Sequence, residues 1–171
     1  VLTTIHTPWK VKFEERRQGP KESVVFNTLT DWITSEDPRI KYYSGTADYT
    51  NTFTIKEIPS QPTYINLGKV VAMAKVYLNG KYVGGAWTYP YRLNITDYLQ
   101  KGENTVKIEV VNNWVNRLIG DLKLPAEQRS TWTMVNPWRD DSQLQSSGLF
   151  GPVRIESHDY ELLKFSPLSD N

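Results

Sequence analysis

Apolar and polar residues alternate with a period of two through most of this chain, and runs with helical spacing are few. Trp9, Val11 and Phe13 alternate with Lys10 and Lys12, which predicts a strand with one buried face, and Ser23 to Phe26 predicts a second. Between them Arg16-Arg17-Gln18-Gly19-Pro20 reads as a turn whose arginines face solvent. From Ser44 to Ile55, Ala47, Tyr49, Phe53 and Ile55 point one way, while Thr46, Asp48, Thr50, Thr52 and Thr54 point the other. Val76 and Leu78 alternate with Lys75 and Tyr77 ahead of Asn79-Gly80, and both central positions of a type I′ hairpin turn need φ > 0. The return strand, Lys81 to Val83, meets Gly84-Gly85, where a bulge is expected, so Trp87, Tyr89 and Tyr91 are aimed away from the ladder in an aromatic loop. Thr96 is placed to cap a one-turn helix through Leu99 that Lys101-Gly102 ends, after which Val106, Ile108 and Val110 alternate with Lys107 and Glu109.

Shorter strands are expected at Tyr64 to Leu67, at Val70-Val71 and, closing the domain, within Gly148 to Glu156. Thr30-Asp31-Trp32 offers a cap and a helical turn that stops at Asp37-Pro38, with Trp32 plugging the core. Short strands with turn signals every ~8–12 residues and little helix predict an all-β fold, an antiparallel β-sandwich or jelly roll. The pattern breaks between Asn113 and Ser147, which holds Trp114, Trp132 and Trp138 beside Asn116, Arg117, Asp121, Arg139, Asp140 and Asp141. Loops beyond ~12–15 residues in a compact domain are usually functional or disordered, and tryptophans argue against disorder. This excursion is expected to contact something. The tail beyond Tyr160 is expected to be peripheral.

At 171 residues the chain is read as one domain, 1–171, able to bury a core without staples. It contains no cysteine, which removes disulfides and thiolate zinc sites. Twenty basic and 19 acidic residues leave a net charge of +1, so nothing favours a nucleic acid or an anionic membrane as partner. No apolar run approaches the roughly 20 residues that span a bilayer. The start at Val1, with neither an initiator Met nor a signal peptide, suggests a piece excised from a longer chain.

Candidate chemistry is thin. Asp140-Asp141, Glu14-Glu15 and Glu36-Asp37 are neighbours in sequence, whose side chains would diverge in a strand or be solvated in a loop, so they do not form the facing carboxyl pair of a glycosidase. The only histidines, His6 and His158, stand near opposite ends, which supports neither a metal site nor a serine–histidine nucleophile. Gly84-Gly85 lacks the context of a phosphate loop. What the sequence does supply is a mixture suited to carbohydrate: Trp87, Tyr89, Tyr91, Asn113, Trp114, Arg117, Asp121 and Trp132 combine aromatic faces with amide, carboxylate and guanidinium groups. The same aromatics could fill the core or pack on a neighbouring domain, and those alternatives stay open.

The segments VYLNGKYVGGAW, YRLNITDYLQKGENTVKIEV and GLFGPVRI resemble the galactose-binding-like β-sandwich domain of large glycoside hydrolases, such as the sugar-binding domain of family 2 enzymes. DPRIKYYSGTADYTNTF, NRLIGDLKLP and SSGLFGPVRIE are most similar to the accessory sandwich of family 106 α-L-rhamnosidases. The resemblance implies a non-catalytic accessory domain whose parent enzyme carries its catalytic carboxylates on a separate domain, so no hydrolase activity is expected of this chain alone. It implies that catalytic domain as partner, a plant or pectic glycan as a further one, and a periplasmic or extracellular bacterial setting. It allows a structural Ca²⁺ without locating one. A second reading is an autonomous carbohydrate-binding module.

Overall fold

In the computed structural model, which describes residues 1–158, two antiparallel sheets share one apolar core. The six-stranded sheet runs in the order β3 (Val24–Phe26), β2 (Trp9–Phe13), β4 (Thr46–Ile55), β10 (Gly102–Val111), β7 (Met73–Leu78) and β8 (Lys81–Ala86). Opposite it lie β1 (Thr3–Thr4), β12 (Arg154–Ser157), β5 (Thr63–Asn66) and β9 (Arg92–Asn94), and a small pair joins β6 (Lys69–Val71) to β11 (Gly148–Gly151). The long strands β4 and β10 pair along their whole length, from Thr46 opposite Val111 to Ile55 opposite Gly102. The antiparallel β-sandwich expected from the alternation is therefore the observed architecture.

Period two decides which side chains go inside. Trp9, Val11 and Phe13 of β2, Ala47, Tyr49, Phe53 and Ile55 of β4, and Val106, Ile108 and Val110 of β10 are all buried, while Lys10 and Lys12 between them are exposed. Trp32 is 1% exposed and donates from Nε1 to the Tyr49 hydroxyl at 2.6 Å, which satisfies the one polar atom it carries into the core. Its ring meets Phe13 and Tyr43 edge-on, with centroids 5.4 and 5.6 Å away. Burial pushes the Tyr43 phenol up to about 12 even though its oxygen accepts from the Glu14 amide. The hairpin turn is of the expected kind, with φ of 51° at Asn79 and 78° at Gly80. The ladder slips between Val76 and Tyr77, leaving Val83 unpaired one residue ahead of the Gly84-Gly85 pair.

Three local expectations change. Asp37-Pro38 opens a second short helix, α1 (Pro38–Lys41), because Asp37 caps it from the Arg39 amide at 2.8 Å and proline suits its first position. Asn94, not Thr96, organises the turn Thr96–Tyr98: its Oδ1 accepts from the Thr96 amide and hydroxyl, while the Thr96 hydroxyl ties to Thr63 across the sheet. The excursion is not wholly irregular, since it begins with the eight-residue helix α2 (Val115–Leu122). The expectation for the tail beyond Tyr160 lies outside the described residues.

Candidate functional site

Strand register gathers the predicted contact residues at one end of the six-stranded sheet. Phe13 stands opposite Ala47, Thr46 opposite Val111, Val111 opposite Met73, and Ala74 opposite Ala86. The segments after β2, after β10 and after β8 therefore leave from the same edge row. At roughly 4.8 Å per strand, the exit toward Trp87 lies about 10 Å from the exit toward Trp114.

Helix α2 docks against this end through a polar face. Asn113 Oδ1 accepts from the Val115 amide at 3.1 Å and starts the helix, while its amide donates to Gln145 Oε1. Asn116, fully buried, exchanges two hydrogen bonds with the Gln145 backbone, 2.7 Å to the carbonyl and 2.8 Å from the amide. Asn112, ahead of the helix, does the same work, donating to the Tyr43 carbonyl and accepting from the Gly45 amide. A Cβ added at Gly120 would stand 2.6 Å from Tyr42 Cβ, so only glycine lets the helix approach α1 this closely.

Arg117 and Asp121, expected at a contact surface, are instead 6% and 2% exposed. They sit one turn apart on α2, and their ion pair brings Nε to 2.9 Å from Oδ1. That contact is Coulombic, because Arg117 Nε finds no acceptor in hydrogen-bonding alignment. The other Asp121 oxygen collects the amides of Ser130 and Thr131 at 2.9 and 2.8 Å and the Thr131 hydroxyl at 2.7 Å. Burial alone would raise this carboxyl, but the Thr131 hydroxyl, the Arg117 charge and the Thr131 amide outweigh it and hold it below its ordinary value. Asp121 is thus a clamp that fixes the start of the segment carrying Trp132.

The remaining predicted residues divide sharply. Trp87 and Tyr89 are exposed in the loop after β8, at 68% and 85%, whereas Tyr91 is partly buried against the core. Trp114 is half exposed and its ring is covered by the Arg17 guanidinium at 4.8 Å, so Arg17 is no merely solvated loop residue. Trp132, Met134 and Val135 stand out at 84%, 86% and 74% exposure. Trp114, Leu118, Ser130, Thr131, Trp132 and Thr133 line a cleft of about 390 Å³. On the Arg17 side of Trp114 a smaller polar cleft of about 180 Å³ is walled by Glu14, Arg16, Gly45 and Asn113. The sequence reading missed Leu118, Ser130, Thr131 and Arg17. Leu118 was detectable, since Val115, Leu118, Ile119 and Leu122 have helical spacing.

Beyond this end, a trough of about 520 Å³ runs over Lys12, Glu14, Asp48 and Glu109. Burial raises the Asp48 carboxyl, against the pull of Lys107, whose ammonium pairs with Glu109 at 2.6 Å. Among the described residues no group of three or more His, Cys, Asp or Glu side chains is placed to hold a metal ion.

Residues 10–143 match the family profile described as glycosyl hydrolase 2 galactose-binding domain-like. The chain belongs to that family. A rhamnosidase from Novosphingobium sp. PP1Y contains a domain similar to this galactose-binding-like domain, with a TM-score of 0.83 and 41% identity over 90% of this chain and 14% of that one. A protein provisionally named β-glucuronidase from Formosa agariphila is 37% identical across 77% of this chain and 14% of its own length. A β-galactosidase from Priestia megaterium is 31% identical across 85% of this chain and 13% of its own. The galactose-binding-like domain therefore spans about one seventh of these large glycoside hydrolases.

Proposed function

We propose that this galactose-binding-like domain is a non-catalytic accessory unit of a larger, α-L-rhamnosidase-like glycoside hydrolase. It braces the catalytic domain and contacts carbohydrate at the aromatic end of its six-stranded sheet. The observation that carries this reading is the exposed ridge of Trp132, Met134 and Val135, anchored through Asp121 and left uncovered among the described residues. Methionine and valine in such a ridge suit a protein surface better than a sugar, while the tryptophans suit either. The likeness to a rhamnosidase supports a rhamnose-bearing substrate for the parent; the reading extends this to a plant or pectic polysaccharide met in a periplasmic or extracellular setting.

Among the described residues, the main-chain amides of Trp132 to Val135 make no hydrogen bond. They will exchange with solvent freely in the isolated chain. Within the full-length hydrolase the reading expects at least about tenfold slower exchange at these amides, because docking removes them from water. Equal exchange in the two settings would overturn the bracing role and leave the second reading, an autonomous carbohydrate-binding module, which the cleft beside Trp132 favours.

A further inference from the structure

We infer that the cleft between Trp114 and Trp132 is a subsite for one neutral pyranose ring, the carbohydrate contact on which the reading above partly rests. Its volume of about 390 Å³ falls at the lower end of the range for small-molecule sites, enough for a single sugar ring. Two indoles line it, and the apolar C–H face of a pyranose is the surface that an indole face complements. Arg17 covers one side of Trp114 and does not line this cleft, which leaves the cleft without a cation among the described residues.

The polar lining narrows the ligand further. Every hydroxyl in the cleft has already spent its proton: Ser130 and Thr131 donate to the Asp121 carboxylate, and Thr133 donates to the Val135 carbonyl at 2.9 Å. Each hydroxyl therefore shows the cleft only acceptor lone pairs. A ligand rich in O–H donors satisfies them, as a sugar does. A carboxylate brings acceptors where acceptors are already in excess, and it approaches the negative Asp121 side chain behind Ser130 and Thr131. Three guanidiniums around this excursion have partners of their own: Arg117 pairs with Asp121, Arg17 covers Trp114, and Arg129, next to Ser130, donates from Nε to the Leu124 carbonyl at 3.0 Å. The subsite thus takes a neutral ring and disfavours a uronate of the same skeleton.

The test uses the 171-residue chain and two probes that differ only at C6, methyl β-D-glucopyranoside and methyl β-D-glucopyranosiduronate. The readout is the six tryptophan indole N–H resonances during titration. Trp9 and Trp32, 2% and 1% exposed, serve as internal references that a cleft ligand leaves unmoved. The proposal expects saturable shifts at Trp114 and Trp132 with a dissociation constant of roughly 1–10 mM for the neutral glycoside, and at least about threefold weaker binding of the uronate. Trp132→Ala, at an exposed position that leaves the fold intact, should abolish the shift at Trp114. Thr133→Val should weaken binding about fivefold through loss of one acceptor. Absence of shifts at both tryptophans up to ~100 mM, equal or tighter binding of the uronate, or an unchanged response in Trp132→Ala would each overturn the subsite. Because these titrations need no catalytic domain, their failure is separable from failure of the bracing role, which the exchange measurement reads.

Discussion

The sandwich and the excursion that follows β10 are ordered by opposite means. Between the sheets, order comes from apolar side chains set at period two, with Trp32, Phe13 and Tyr43 interlocking edge to face. In residues 112–147 it comes from polar side chains that capture backbone: Asn112 holds Tyr43 and Gly45, Asn116 holds Gln145, and Asp121 holds Ser130 and Thr131. The first kind of order is cheap to write in a sequence and hides its side chains. The second leaves the aromatic side chains of the segment facing outward, which is where a contact surface must have them.

If this division is right, the largest losses come from the apolar side. Trp32→Ala removes a fully enclosed indole and its bond to Tyr49, and should cost about 3–5 kcal/mol of unfolding free energy, read by urea denaturation with an unchanged slope. A loss below about 1 kcal/mol would mean that the core is far more adaptable than its packing suggests.

Next comes the carboxylate clamp. Asp121→Ala strands the buried Arg117 and frees two amides, for an expected loss of about 2–3 kcal/mol. Its pH signature separates it from the core. The Asp121 carboxyl is held below its ordinary value in the fold, so its contribution is complete above the unfolded-state value of about 4 and is lost as pH falls through the folded one. Wild-type stability should therefore decline on acidification below about pH 4 more steeply than that of Asp121→Asn, whereas Trp32→Ala should keep the wild-type slope. Parallel acid slopes for Asp121→Asn and wild type would show that the clamp contributes nothing.

Asn116→Ala tests the neutral part of the same cement. It leaves the Gln145 amide and carbonyl without their partner and should cost about 1–2 kcal/mol at all pH values. The effect should be local, with faster amide exchange near Gln145 while the sheet amides stay protected.

The same contrast explains what could be read from the residues in advance. Ala47, Tyr49, Phe53 and Ile55 announce their buried face because burial and period coincide in a strand. Asn79-Gly80 announces its turn because few residue pairs accept two positive φ values. Helix α2 was legible only through the spacing of Val115, Leu118, Ile119 and Leu122, because the rest of its buried side, Asn116, Arg117, Gly120 and Asp121, is made of residues that a hydrophobicity pattern assigns to solvent. For that reason Arg117 and Asp121 looked like ligand-facing groups and proved to be internal. Trp132 was legible as a contact candidate, whereas Ser130 and Thr131 matter through the Asp121 carboxylate, a relation between positions that no single residue type discloses.

The smallest effect on stability is also the most telling. Met134→Ser and Trp132→Ala remove large apolar side chains that are 86% and 84% exposed, so each should change unfolding free energy by no more than about 0.5 kcal/mol in the isolated chain. In the full-length hydrolase the same two changes should cost clearly more, about 1–3 kcal/mol each, if the ridge is buried there against the catalytic domain. The comparison is internal, since one substitution is measured in two settings and errors in the unfolded reference largely cancel. A loss for Met134→Ser only in the longer protein would place the ridge at the domain boundary. A loss already present in the isolated chain would mean that the exposed side of the excursion helps to hold it together, and that the line between apolar core and polar cement is drawn in the wrong place.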